Sequence, residues 1–157
     1  LLIRAAQQKT IPIVNYNDPV SDEENRKMEL AIRRSHGDQV VECVDNDETA
    51  AVIANLVHAK KLVLMTSTEG IYRDPADPKT LVEQVTAKSM EELEEKVRQL
   101  QESCVGASRA GANGAKAKLE YALKSARQGT MVIIGHARHR LSDLVEGRVA
   151  CTRIGLE

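Results

Sequence analysis

Residues 39–59 read QVVECVDNDETAAVIANLVHA, and this stretch shows the fold class most directly. Its β-branched start, Gln39–Val44, predicts a strand, and its alanine-rich end predicts a helix over Glu48–Ala59. Between the two stand three polar side chains, Asp45, Asn46 and Asp47. A helix cap needs only one such residue, because a single side-chain oxygen satisfies a free backbone N–H group. The others are therefore candidates to hold a cation, an amine or a lysine.

The same alternation of strand and helix patterns runs along the chain. Further strands are predicted at Ile11–Val14, Lys61–Met65, Thr130–Gly135 and Val149–Ile154. Helices are predicted before Lys9, from Ser21 to about Ser35, over Ser89–Ser103 and Ala115–Gln128, and as one turn at Ser142–Gly147. This alternation is typical of a largely parallel sheet with helices on both faces. We therefore predict an α/β three-layer sandwich, with buried strands at Ile11–Val14, Val40–Val44, Leu62–Met65 and Met131–Ile134.

The composition argues against several classes of protein. The 157 residues carry a net charge of −1 and 2% aromatic residues, so neither a general positive field nor a stacking surface favours nucleic acid. No apolar run approaches the roughly 20 residues of a membrane span. The three cysteines, Cys43, Cys104 and Cys151, form no zinc pattern and suit a reducing compartment. We expect a cytoplasmic protein that binds neither nucleic acid nor membrane and offers no metal site of its own.

A second polar cluster follows the first predicted strand. Asn15, Asn17 and Asp18 come directly after Ile11–Val14. Ligands of open α/β sheets bind beyond the carboxyl ends of strands, so this cluster and the Asn46–Asp47 pair are predicted to share one pocket. The alternative is that both are ordinary turns, since Asn, Asp and Pro favour turns on local grounds.

A loop of small residues, Gly111–Gly114, precedes the helix predicted at Ala115–Gln128. Glycines let backbone N–H groups approach a phosphate closely, and the helix N-terminus adds a positive pole. That pole disfavours a lysine such as Lys118 unless an anion is bound nearby. The alternative is a plain connector, because glycine-rich loops are common.

The order of these motifs resembles the amino-acid kinase superfamily, and within it most closely the glutamate 5-kinases. IPIVNYND (residues 11–18) resembles P-I-I-N-E-N-D, and VDND (44–47) resembles G-D-N-D. LVLMTSTEGIY (62–72) resembles L-L-L-L-T-D-x-x-G-L-Y, and GANGAKAKL (111–119) resembles G-T-G-G-M-x-T-K. Residues 144–152 resemble the closing G-x-x-x-G-T strand. Each motif is weak alone, but the ordered set spans nearly the whole chain.

The resemblance implies phosphoryl transfer from ATP, with Mg²⁺, to the side-chain carboxylate of glutamate, the first step of proline biosynthesis. It implies that Asn15, Asp18 and Asn46 bind the amino acid and that Asp47 orients catalytic lysines. The nucleotide would lie against Thr66, Ser67, Gly111, Ala112, Asn113 and Gly114, with Lys118, rather than Lys116, on its phosphates. The implied partners are ATP and glutamate or a related small molecule, and the implied assembly is a homo-oligomer.

Departures from the family pattern leave other functions open. Tyr16 stands where the family has Glu, Ser67 where it has Asp, and Asn113, Ala115 and Cys151 alter further positions. Residues 22–38 resemble a helical insertion, and residues 1–157 resemble the C-terminal portion of a kinase domain. The opening Lys-x-Gly-Ser strand is missing, so we expect the isolated chain to be inactive. The alternatives are an acetylglutamate, aspartate or uridylate kinase, or a degenerate ligand-binding relative without catalysis.

Overall fold

The computed structural model describes residues 2–14, 46–103 and 114–157, and the chain divides into two compact units, Leu1–Thr49 and Ala50–Glu157. The helices are α1 (Leu2–Gln7), α2 (Asn46–Leu56), α3 (Met90–Ser103), α4 (Gly114–Ala126) and α5 (Leu141–Glu146). The strands are β1 (Lys61–Thr66), β2 (Ile71–Tyr72), β3 (Leu81–Val82), β4 (Gln84–Ala87), β5 (Met131–His136) and β6 (Cys151–Leu156). A single 3-10 turn, Pro78–Thr80, precedes β3.

A four-stranded sheet forms the centre of the unit that begins at Ala50, in the order β1-β5-β6-β4. Strands β1 and β5 run parallel, with partners from Lys61↔Met131 to Thr66↔His136. Strands β4 and β6 are also parallel, whereas β5 and β6 are antiparallel. The sheet is therefore mostly parallel, as the sequence predicted.

Both faces of this sheet are covered, because successive side chains of a strand point to opposite faces. Val132 and Ile134 of β5 belong to a large apolar cluster with residues of α2, α3 and α4. Ile133, between them, packs with Leu144 of α5 and with Cys151 on the other face. Helices thus lie on both sides of the sheet, which confirms the predicted α/β three-layer sandwich.

A small antiparallel ribbon, β2–β3, is joined to the sheet by one buried hydroxyl. Thr152 is fully buried; its Oγ1 accepts a hydrogen bond from Ile71 N at 2.8 Å and donates one to Val82 O at 2.6 Å. The preceding Gly70 has no room for a side chain, since a Cβ there would lie 2.3 Å from Thr152 Oγ1. The close approach of Gly70 and the double contact of Thr152 hold the ribbon against β6.

Most of the predicted elements are present. Helix α1 ends at Gln7, before Lys9 as predicted. The other four helices, α2 to α5, match the predicted helices to within a few residues, and the strands β1, β5 and β6 match predicted strands. The sequence did not predict β2, β3 or β4, because strands of two to four residues are too short to show a clear period. The predicted strand Val40–Val44, the predicted helix from Ser21 to Ser35 and the insertion at 22–38 lie outside the described residues.

The predicted buried strand Ile11–Val14 is wrong. These residues have no regular secondary structure, and Ile11 and Ile13 are 91% and 95% exposed. A run of β-branched residues fits a pleated, half-buried surface. It forms a strand only where a neighbouring strand supplies hydrogen bonds and where other elements bury its side chains. Within the described part of the N-terminal unit, no strand pairs with Ile11–Val14.

Candidate functional site

The carboxyl ends of β1 and β5 meet at one edge of the sheet. Thr66 and His136 are the last residues of these parallel strands and lie opposite each other. Ala137 N donates to Thr66 O at 2.8 Å, which extends the ladder one step beyond the strands. The loop after β1, residues 67–70, and the loop after β5, residues 137–140, therefore leave the sheet side by side. This is the kind of position where open α/β sheets bind ligands.

Hydroxyl groups shape the loop after β1. Thr68 N donates to Thr66 Oγ1 at 2.9 Å, and Thr68 Oγ1 donates to Gly70 O at 3.0 Å. The Thr66 hydroxyl is thus used within the turn. Ser67 is exposed, and its hydroxyl makes no hydrogen bond to the described part of the chain. Of the two residues predicted to bind the nucleotide here, Ser67 is the one with a hydroxyl available to a ligand.

An acid–base cluster links the two loops. Glu69 Oε2 accepts a hydrogen bond from His139 Nε2 at 2.6 Å, and Glu69 Oε1 pairs with the Arg138 guanidinium. The side chains of Glu69 and His139 are only 16% and 20% exposed, whereas that of Arg138 is 64% exposed. His136 Nδ1 accepts from Arg138 N at 3.0 Å and steadies the second loop.

Sequence reasoning did not single out Glu69, Arg138 or His139. Glu69 and Arg138 are 69 positions apart, and no motif of the sequence connects them. The one available signal was that each follows a predicted strand, which places both at the carboxyl edge of a parallel sheet without saying that they touch.

The N-terminus of α4 lies at the same edge of the sheet. This helix packs on β5 and β6 and is joined to the start of β5 by residues 127–130 alone. Because such a short connection reverses the chain direction, the N-terminal turn of α4 lies towards the carboxyl end of β5. Gly114 opens the helix with φ +60°, Lys116 is exposed and Lys118 is half-buried. The positive pole of this 13-residue helix therefore lies towards the end of the sheet at which β1 and β5 finish.

The remaining predicted residues are placed separately or not described. Asn46 and Asp47 form the first turn of α2 and belong to the N-terminal unit, with Asn46 exposed and Asp47 half-buried. Five further predicted site residues lie outside the described residues: Asn15, Asp18, Gly111, Ala112 and Asn113. The shared pocket of the two polar clusters accordingly stays a prediction.

Within residues 2–14, 46–103 and 114–157, no three side chains of His, Cys, Asp or Glu come together in a way that could hold a metal ion. None of the helices in these ranges is both long enough and apolar enough to cross a bilayer.

The family to which the chain belongs is shown by its similarity to a known sequence family. The sequence pattern of the amino acid kinase family matches residues 1–136. The chain belongs to the amino acid kinase family. Its fold agrees with this assignment: carbamate kinase from Giardia lamblia bound to AMP-PNP superposes with a TM-score of 0.54 at 19% identity, over 72% of this chain and 32% of that one.

The individual proteins to which this amino acid kinase family member is similar include different kinases. The glutamate 5-kinase of Geobacillus kaustophilus is 33% identical over 149 residues, which are 93% of this chain and 34% of that protein. The acetylglutamate kinase of Methanopyrus kandleri is 46% identical over 59 residues, 38% of this chain and 24% of that protein. The chain spans about a third of the length of the glutamate 5-kinases that it matches.

Proposed function

We propose that this chain is part of an ATP-dependent kinase that phosphorylates a carboxylate, and that its acceptor is the side chain of glutamate. The observation that carries the proposal is the similarity to a glutamate 5-kinase over 93% of the chain. The geometry at the carboxyl ends of β1 and β5 supports it, because an open loop and the N-terminus of α4 lie towards the same end of these two parallel strands.

The nucleotide is proposed to bind at that edge. The exposed Ser67 hydroxyl and the turn formed by Thr66 face it from β1, and Gly114 offers backbone at the start of α4. Gly111, Ala112 and Asn113 are proposed to complete the loop around the phosphates. Lys118, in the first turns of α4, is proposed to neutralise phosphate charge, because phosphoryl transfer depends on positioning and charge neutralisation.

The acceptor is proposed to bind through the two polar clusters. Asp18 suits the ammonium group of an amino acid, and the amides of Asn15 and Asn46 suit its carboxylates. Asp47 is proposed to orient catalytic lysines, as its match to the family motif implies. These roles come from the family resemblance and from the chemistry of the residue types.

The reaction is a single displacement at phosphorus. A carboxylate oxygen of the acceptor forms a bond to the γ-phosphorus while the bond from that phosphorus to the β–γ bridging oxygen breaks, and ADP leaves with the electron pair. The product is an acyl phosphate. Mg²⁺ neutralises charge on the phosphates when it is bound. Mg²⁺ is proposed to arrive on the nucleotide, because it is usually held by substrate phosphates together with one or two carboxylates.

A panel of acceptors tests this proposal in the longest natural protein that contains the chain. Glutamate, acetylglutamate, aspartate and uridine monophosphate are each supplied with ATP, and ADP release is measured together with hydroxylamine trapping of any acyl phosphate. Glutamate is expected to be the best substrate by kcat/KM. Turnover of another acceptor without glutamate would contradict the assignment.

Two alternatives have specific support and are separated by the same assay. An acetylglutamate kinase is favoured by the 46% identity over 59 residues with the Methanopyrus kandleri enzyme. A non-catalytic ligand-binding relative is favoured by Ser67 and by Tyr16, which depart from the family motifs. Nucleotide or amino-acid binding without phosphoryl transfer would identify the latter. Homo-oligomeric assembly and a cytoplasmic location stay predictions, and sedimentation velocity checks the first.

A further inference from the structure

The loop that presents Ser67 is held at both of its ends. At its start, Thr66 O accepts from Ala137 N at 2.8 Å. At its end, Gly70 lies against Thr152, and Ile71 N donates to the Thr152 hydroxyl at 2.8 Å. Between these two fixed points Ser67 and Thr68 are exposed, and the hydrogen bonds that their backbone makes to the described part of the chain are those of the local hydroxyl turn.

Glu69 supplies the one side-chain link from the middle of this loop to another element within the described residues. Its carboxylate bridges Arg138 and His139, 69 and 70 positions away, on the loop that follows β5. An ionised carboxylate only accepts hydrogen bonds, so both partners must donate to it. Hydrogen bonds to charged groups are shorter and stronger than neutral ones, and this carboxylate is largely withdrawn from water.

We propose that Glu69 is a positioning residue for the nucleotide, acting by fastening the Ser67 loop to the loop after β5. The inference rests on the proposed function, because it takes the nucleotide to bind at this edge of the sheet. With Glu69 bound to Arg138 and His139, the loop is already in one conformation when the nucleotide arrives. Without that link, binding would have to order the loop, and the cost would appear as lost affinity.

This role differs from that of an ordinary surface ion pair. Exposed pairs contribute little because water screens them and because two long side chains must be ordered. Arg138 alone would fit that description, but Glu69 and His139 are mostly buried. His139 is therefore expected to be the stronger partner and Arg138 the weaker one.

The chain offers a matched control. Glu94 of α3 pairs with Arg127, with Glu94 Oε1 lying 2.9 Å from Arg127 Nη2. Arg127 lies in the segment that leads into the amino end of β5, at the opposite edge of the sheet. Glu94→Ala therefore removes a carboxylate–guanidinium link of the same chemistry without touching the Ser67 loop.

The test compares Glu69→Ala, Glu69→Gln and Glu94→Ala in the longest natural protein that contains the chain. ATP dissociation constants are measured by calorimetry, and the KM values of ATP and of the acceptor are measured by kinetics. Glu69→Ala is expected to weaken ATP binding by about tenfold, the effect of one charge-assisted hydrogen bond, and to leave the acceptor KM within about twofold. The ATP affinity of Glu69→Gln should lie between those of the wild type and Glu69→Ala, because the amide oxygen of Gln can still accept a hydrogen bond from His139. Glu94→Ala should bind ATP as the wild type does.

Three outcomes would overturn the inference. The first is equal ATP affinity of Glu69→Ala and Glu94→Ala. The second is a parallel rise of both KM values with a lowered melting temperature, which would mean that Glu69 supports only the fold. The third is a wild-type protein that does not bind ATP, which would also defeat the proposed function. If Glu69→Ala does not fold, His139→Asn and Arg138→Ala apply the same comparison, and the larger loss of ATP affinity is expected for His139→Asn.

Discussion

Two lysines in the first turns of α4 differ in their surroundings. Lys116 is exposed, whereas Lys118 is half-buried. Because the N-terminus of a helix carries partial positive charge, a lysine there is tolerated best when an anion is bound. Lys118 is therefore the better candidate to face a phosphate.

Replacing each lysine by alanine in the longer protein tests this difference. Lys118→Ala is expected to lower kcat by about 100-fold or more, the usual cost of losing a preorganised charge that faces the transition state. The KM of the acceptor should change far less. Lys116→Ala should stay close to the wild type in steady-state kinetics. Equal effects of the two substitutions would argue against a catalytic role for Lys118.

Thr152 is a second residue whose role is clear from its contacts. Thr152→Val keeps the side-chain shape but leaves the buried Ile71 N–H and the partly buried Val82 C=O without their Thr152 partner. The free energy of unfolding is expected to fall by roughly 2–4 kcal/mol, because each buried polar group left unsatisfied costs about 1–3 kcal/mol. Urea denaturation measures this change.

The control for Thr152→Val is Thr86→Val. The Thr86 hydroxyl donates to Glu157 Oε1 at 2.7 Å in an exposed position, where water can replace the lost partner. We expect a change within about 0.5 kcal/mol for this variant. A similar loss of stability in both variants would mean that the buried contacts of Thr152 do not hold the β2–β3 ribbon.

Among the helices, α3 shows how charge and burial divide between two faces. Leu93 and Val97 are fully buried against the sheet, while the outer face carries acidic and basic side chains. Lys96 holds the pKa of Glu92 below its ordinary value, and Arg98 does the same for the pKa of Glu95. These carboxylates stabilise the helix only while they are ionised.

A small part of the pH dependence of the protein's stability should therefore come from α3. A carboxylate whose pKa is lowered by folding makes its full contribution to the free energy of unfolding above its ordinary pKa of 4.5. That contribution is lost as the pH falls through the lower pKa of the folded state. As the pH is lowered below 4.5, the urea concentration at the midpoint of unfolding is expected to decrease. This decrease with pH should be less steep in Glu92→Gln than in the wild type. Glu83→Gln is the control, since Glu83 is exposed and forms no ion pair with the described residues. Equal slopes in both variants would contradict the assignment to Glu92.

The whole molecule divides unevenly between its two units. Both apolar clusters of the core are drawn from residues between Ala51 and Ile154, which all belong to the larger unit. A unit that contains its own core is expected to fold by itself. The larger unit should therefore carry the cooperative unfolding of the chain.

A fragment of residues 46–157 tests this division. It is expected to unfold in one cooperative transition, followed by circular dichroism in urea, because it keeps all four strands of the sheet and the helices on both faces. A fragment of residues 46–149 should show no such transition, since it lacks β6, which joins β5 to β4. A non-cooperative 46–157 fragment would show that the larger unit depends on the residues before it.

Local patterns were sufficient for much of this protein. The β-branched runs of β1 and β5 and the amphipathic spacing of α3 are properties of neighbouring residues, so they could be predicted without knowing any partner. The order of short motifs along the chain was sufficient to indicate the amino acid kinase family. Thr66 and Ser67 could be predicted to lie at a strand end for the same local reason.

Tertiary contacts decided the rest. Ile11–Val14 has the composition of a strand but no regular structure, because a strand also needs a neighbour that sequence composition does not supply. Glu69 meets Arg138 and His139 only because β1 and β5 pair in parallel with Thr66 opposite His136. A register between distant strands is set by packing of the whole sheet, and no local pattern records which side chains it brings together.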